Sequence, residues 1–87
     1  MEMQEILYKL KLILIEVGEL ELTPDELDEN NKNIFEEYNL NSILALEILL
    51  KIEETFNIEF DDEDLDSKLL NDLCYLAEYV RNRCKNA

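Results

Sequence analysis

Apolar residues return along this chain at helical spacing in three long stretches. From Glu2 to Val17, the residues Met3, Ile6, Leu7, Leu10, Ile13, Leu14 and Val17 follow the i, i+3, i+4, i+7 rule and form one stripe. Leu12 and Ile15 lie off it and are expected to be partly exposed, and Gly18 stands where a left-handed C-terminal cap would end the helix. From Ile43 to Phe56 a second stripe runs through Ala45, Ile48, Leu49, Ile52 and Phe56. That helix carries further apolar residues off its stripe, Ile43, Leu44, Leu46 and Leu50, interleaved with Glu47, Glu53 and Glu54. An apolar strip rimmed by acids predicts an interaction surface. Leu73, Leu76, Ala77 and Val80 mark the buried face of a last helix, expected to run from a cap at Asn71 to Arg83. Arg81, Arg83 and Lys85 near its end suit the negative pole of the helix dipole.

Shorter elements join these three. Thr23, Pro24 and Glu26 have the residue types of a capped helical turn, with Leu22 able to staple to Leu27. Asp28 to Asn33 reads as a polar loop, and Ile34 and Phe35 as bulky residues that pin a connecting segment into the core. Asn39 suits a left-handed turn position. Asn57 to Phe60 reads as a short extended connection. A short helix is expected from Asp61, its acids well placed at an N-terminus, with Leu65, Leu69 and Leu70 pointing inward.

Composition narrows the picture to one small all-α domain spanning residues 1–87. A single Gly and a single Pro leave few tight turns. Acids outnumber bases 22 to 8, for a net charge of −14. That surface excludes nucleic acid as a partner, because phosphate binding needs basic side chains, and it favours basic proteins. No apolar run reaches the ~18 residues of a membrane span, and the first residues lack the basic start of a signal peptide, so a cytoplasmic monomer with no membrane partner is expected. Cys74 and Cys84 are ten positions apart on one helix, about 15 Å, too far for a bridge, and read as small buried apolar residues.

Candidate chemistry is sparse. Without His there is no Ser-His-Asp triad, and without a Gly-rich loop neither phosphate-cradling motif is present. No pair of carboxylates has a reason to shift its pKa, so no catalytic residue and no enzyme are expected. Asp62, Asp64 and Asp66 have the spacing of the first three ligands of a calcium loop, but Ser67 stands where Gly is needed and Leu73 where a bidentate Glu is needed. No dedicated metal site is expected, although loose divalent binding by these clustered acids stays open.

Two Ser remain. Ser67 decorates a polar patch, whereas Ser42 begins the apolar helix. Its plainest role is an N-cap, worth ~1 kcal/mol. The alternative is an attachment point. A hydroxyl at a helix start is exposed, the unpaired N–H groups there accept a phosphodiester, and a rigid face of acids and apolar residues follows it.

At this point the chain resembles the acyl and peptidyl carrier proteins. Phe35-Glu36-Glu37-Tyr38-Asn39-Leu40-Asn41-Ser42-Ile43 is similar to that family's Phe-x-x-Asp-Leu-Gly-x-Asp-Ser-Leu segment, and the likeness extends from Ile34 to Tyr79 through Leu46-Glu47, Ile52 to Ile58 and Glu78-Tyr79-Val80. The resemblance implies a four-helix, acyl-carrier-like bundle of three longer helices and one short one. It implies that a Mg-dependent phosphopantetheinyl transferase moves 4'-phosphopantetheine from coenzyme A onto Ser42, and that the arm's thiol carries an acyl or aminoacyl thioester between loading and downstream enzymes. It places partner docking on Asn41, Ile43, Leu46, Glu47, Leu50, Glu53 and Glu54, and gives Cys74 and Cys84 no part in the chemistry.

Several positions depart from the pattern. Asn41 replaces Asp, Asn39 replaces Gly, Leu44 takes a place that is acidic in many fatty-acid carriers, and the Gly-Gly pair before Ser of many peptidyl carriers is missing. The chain is expected to be a free-standing, non-catalytic carrier, and Asn41 and Leu44 favour a dedicated pathway (polyketide, nonribosomal peptide or related) over housekeeping fatty-acid synthesis. A cofactor-free acidic interaction module is the rival of another class. Whatever the pathway, folding works against the −14 charge. The thermal midpoint should rise with NaCl, whose screening length is about 10 Å at 0.1 M. Because Asp61, Asp62, Glu63, Asp64 and Asp66 are crowded together, it should rise further in millimolar Ca²⁺ or Mg²⁺.

Overall fold

The computed structural model describes residues 2–85 and places five α-helices in order. They are α1 (Met3–Gly18), α2 (Ile34–Glu37), α3 (Ser42–Phe56), α4 (Ser67–Asn71) and α5 (Leu73–Lys85), with 3-10 turns at Pro24–Glu26 and Asp62–Asp64. α1 lies against both α3 and α5, and α4 packs on α2 and α5. The all-α expectation holds, and three long helices carry the core. Their stripes fall where the periodicity put them. Ile6, Leu7, Leu10, Ile13 and Leu14 of α1 are buried, as are Ala45, Ile48, Leu49, Ile52 and Phe56 of α3 and Leu73, Leu76, Ala77 and Val80 of α5. Met3 and Val17 are only partly buried at the ends of the α1 stripe.

The segment Ile34–Glu37, expected as a plain connection, closes one helical turn. Ile34 is fully buried and Phe35 packs on the core, as expected. What stabilises so short a helix is Asn71. Its Oδ1 accepts the Phe35 N–H at 2.8 Å, and its Nδ2 donates to the Ser67 carbonyl at 3.0 Å. Asn71 is therefore a clamp between α2 and α4, not the cap of the last helix. Asp72 takes that place, its carbonyl accepting the Leu76 N–H at 2.9 Å and its carboxylate the Tyr75 N–H at 3.2 Å. Near Thr23, the Glu26 carboxylate accepts both the Thr23 N–H, at 2.9 Å, and its hydroxyl, at 3.1 Å. These bonds hold that carboxyl below its usual pKa.

Three helices leave by the same left-handed exit, and none of the exits is a Gly. Glu19, Asn39 and Asn57 have φ of 52°, 54° and 55°. In each case the next residue's N–H reaches back to the helix: Leu20 to Ile15 O, Leu40 to Phe35 O and Ile58 to Glu53 O. Asn39 thus does what the sequence suggests, whereas Gly18 does not. Gly18 is the last helical residue of α1, and a Cβ there would lie 3.0 Å from Leu40 Cδ2. Its missing side chain makes room for the segment that leads into α3.

The short helix expected from Asp61 divides in two. Asp62–Asp64 is a 3-10 turn, and α4 begins only at Ser67, because Asp66 is the better cap: its carboxylate accepts the Leu69 N–H at 2.9 Å. Leu69 is buried, but Leu65, left between the two pieces, is 38% exposed and does not point inward. Cys74 is also exposed rather than buried, its sulfur donating to the Glu29 carbonyl at 3.1 Å. The facing of α3 can be tested by truncation in urea unfolding. Ile52→Ala should cost ~2–5 kcal/mol as a core deletion. Leu50→Ala, on the exposed side, should stay within about 0.5 kcal/mol.

Candidate functional site

The candidate site begins where α3 begins. Asn41 is its N-cap, with extended backbone (φ −94°, ψ 178°), and its Oδ1 accepts the Leu44 N–H at 2.9 Å. The Asn41 carbonyl accepts the Ala45 N–H at 2.9 Å and opens the helical ladder. Ser42 is consequently the first helical residue, not the cap. Its side chain is exposed and makes no hydrogen bond among the described residues. The role that competed with attachment is filled by its neighbour.

The approach to Ser42 is fixed from both sides. The Leu40 N–H bonds the Phe35 carbonyl at 2.9 Å, Phe35 is clamped by Asn71, and the Leu40 side chain packs over Gly18 against the core. Residues 38–41, the exit from α2 and the cap of α3, thus lead up to the hydroxyl, and α3 follows it.

The first turn of α3 has no acidic residue. In a chain with 22 acids this matters. The positive pole of the helix and its unpaired N–H groups face a surface with no carboxylate in that turn to repel an anion. A phosphodiester on Ser42 would meet these N–H groups, so the residues present fit such a group. Asn41 contributes twice, by capping the helix and by being neutral.

Beyond the first turn, one face of α3 stays open. Ile43, Leu46 and Leu50 are 69%, 58% and 54% exposed, and Glu47 and Glu54 are exposed beside them. Spacings of three, four and seven put these five on one side of the helix. Leu44 is partly buried. Glu53 differs from the rest of the expected docking set. It is half-buried, and its Oε2 accepts the Phe60 N–H at 2.9 Å, which ties it to the segment after α3.

Other candidate groups lie elsewhere. A cleft of about 370 Å³ between α2 and α4 is lined by Lys32, Asn33, Glu36, Ser67, Lys68, Asn71 and Asp72, and Ser42 is not among its walls. The Cys74 thiol is pushed above its ordinary pKa by desolvation and then by Asp72 and Glu29, which makes it a poorer thiolate. Among the described residues no group of three or more His, Cys, Asp or Glu is placed to hold a metal ion. No described helix is long and apolar enough to cross a membrane.

The family model described as "Phosphopantetheine attachment site" matches residues 12–76, well over half of the chain. The match takes in α2, α3 and α4 together with the C-terminal part of α1 and the first turn of α5. No solved structure matches the chain at a significant level.

The assignment of Asn41 as the cap has a direct check. Asn41→Ala should lower stability by about 0.5–2 kcal/mol through the lost cap. Ser42→Ala should leave the urea midpoint nearly unchanged. Equal losses for the two would mean that Ser42 shares the capping role and is not free.

Proposed function

Because this chain belongs to the phosphopantetheine-attachment family of carrier proteins, we propose that Ser42 is the residue that bears the arm and that the open face of α3 is where partner enzymes dock. The protein is a non-catalytic carrier with a covalent 4'-phosphopantetheine. When bound, that group supplies a thiol on which an acyl or aminoacyl unit rides as a thioester. The chain's own residues do the rest.

The observation that carries Ser42 is its freedom. Asn41 caps α3, so the Ser42 hydroxyl keeps its proton and lone pairs for a transferase, at the acid-free end of a helix. Ser67, the other serine, is exposed at the start of a five-residue helix in the most acidic stretch of the chain. Docking is read along α3: Ile43, Leu46 and Leu50 provide the apolar contact, and Glu47 and Glu54 steer a basic partner. Glu53 serves the fold through Phe60 and takes part in docking only at its edge.

The cargo we favour is that of a dedicated biosynthetic pathway rather than fatty-acid synthesis. Support comes from the neutral first turn, where Asn41 and Leu44 stand in place of acids that many fatty-acid carriers have. A transferase and enzymes adapted to this chain would meet apolar contacts next to Ser42 and find charge only from Glu47 onward.

Incubation with coenzyme A, Mg²⁺ and a broad-specificity transferase should add one phosphopantetheine mass to the intact protein. Ser42→Ala should abolish the addition and Ser67→Ala should not. Glu47→Lys, folded normally by circular dichroism, should be labelled with a raised KM and a similar kcat. Full labelling of Ser42→Ala would falsify the site assignment.

A further inference from the structure

The Phe35 N–H needs a partner that its own turn does not supply. It is one of the leading amides of α2, which have no carbonyl within the helix to bond. The usual acceptor is the side chain of the cap residue, but Asn33, which stands there, makes no such bond. The acceptor comes instead from Asn71, 36 positions away, at 2.8 Å. Asn71 is itself fixed. Its Nδ2 donates to the Ser67 carbonyl at 3.0 Å, and the nearby Leu69 and Leu73 are buried in the core. Both ends of one carboxamide are in use, the oxygen on an amide and the nitrogen on a carbonyl.

α2 is four residues long, too short to hold its shape by itself. Beyond it, the Phe35 carbonyl accepts the Leu40 N–H at 2.9 Å across the left-handed Asn39, and Ser42 follows two residues later. A continuous run of bonds therefore leads from α4 through Asn71, Phe35 and Leu40 to the residue before the Asn41 cap. The start of α3, by contrast, is held by the local bond of Asn41 to Leu44, which does not depend on α2. We propose that Asn71 is a positioning residue for the modification of Ser42: it fixes the polypeptide that approaches the hydroxyl, and with it the surface against which a transferase seats that hydroxyl. This rests on the reading of Ser42 as the attachment residue. Loss of Asn71 loosens α2 and residues 38–40 and leaves α3, its cap and its open face in place. A transferase then binds the same face but must order the approach on the way to the transition state. The cost falls on kcat, not on KM.

Asn71→Leu keeps the volume of the side chain and removes both of its bonds. With coenzyme A, Mg²⁺ and a broad-specificity transferase, it should lower kcat roughly tenfold, as a lost orientation does, and leave KM nearly unchanged. That split is the reverse of the one expected for Glu47→Lys. Asn71→Asp, which keeps an acceptor for Phe35, should retain most of the native kcat. Val80→Ala, a core truncation outside this run of bonds, should lower the melting temperature and leave kcat as it is, which separates positioning from stability. Amide hydrogen exchange reads the same bonds without the enzyme. In Asn71→Leu the Phe35 and Leu40 amides should lose protection, and the Leu44 amide should keep its own. Should Asn71→Leu fail to fold, the shorter and polar Asn71→Ser takes its place in both measurements. The label is located by peptide mass mapping. A native kcat in Asn71→Leu with the label on Ser42 overturns the inference alone. So does unchanged protection of Leu40, or a loss in Asn71→Asp as large as in Asn71→Leu. A label on any other residue overturns the reading of Ser42 and the inference with it.

Discussion

A single hydrogen bond, from the Leu44 amide to the Asn41 carboxamide, determines what Ser42 can be. A helix start must satisfy its leading N–H groups, and serine is among the best residues for doing so. Had Ser42 capped α3, its hydroxyl would have been turned inward and occupied. With the cap one residue earlier, Ser42 is first on the helix and free, and the helix pole is intact beside it. Beside it a second bond, from the Ala45 amide to the Asn41 carbonyl, opens the ladder of a helix that turns Ala45, Ile48 and Ile52 to the core and Ile43, Leu46 and Leu50 to solvent.

The rest of the molecule holds that start in place under a heavy load of negative charge. Eight bases serve 22 acids, so their placement matters. Lys11 reaches Glu29, tying α1 to the loop before α2, and Arg83 ties the acidic turn to α5. Both join segments distant in sequence. Further ties are made without an ion pair. Asn71 joins α2 to α4 across 36 positions, and Glu53 receives a backbone amide from Phe60. The open face of α3 carries none of these fasteners, so a partner can cover it without undoing one.

How much of this could be read from the sequence follows from the range of each interaction. The buried stripes of α1, α3 and α5 were legible but for Met3 and Val17 at the ends of α1, because helical period is a local property and burial follows it. The carrier resemblance was legible because its motif too sits in one continuous stretch. Errors arose where two local signals competed. Asp61 and Asp66 are both plausible helix caps, but only the Asp66 carboxylate accepts an amide of the turn it starts, that of Leu69, whose side chain is buried. Gly18 looked like a left-handed cap, since glycine is the usual one, but Leu40, 22 positions on, needs the space of its missing side chain. Interactions spanning much of the chain left no mark in the pattern. Nothing near Asn71 points to Phe35, and nothing near Asp61 points to Arg83, although the spacing of Tyr79 and Arg83 could have suggested that those two meet.

Placing Ser42 at the very end of α3 has a geometric consequence. Ser42 and Leu50 are eight residues apart on one unbroken helix, about 12 Å at 1.5 Å per residue. On the proposed reading of Ser42 and of the open α3 face, an enzyme that grips the helix near Leu50 therefore holds the tether point at the end of a short, stiff lever, with no hinge between grip and pivot. The cargo then explores only the volume its own arm can sweep from a stationary origin. The local concentration it presents to a catalytic centre is set by arm length and docking angle, not by motions of the protein. Two enzymes that grip α3 at different angles would sample different sectors of the same sphere, so one pivot can serve successive reactions through orientation alone.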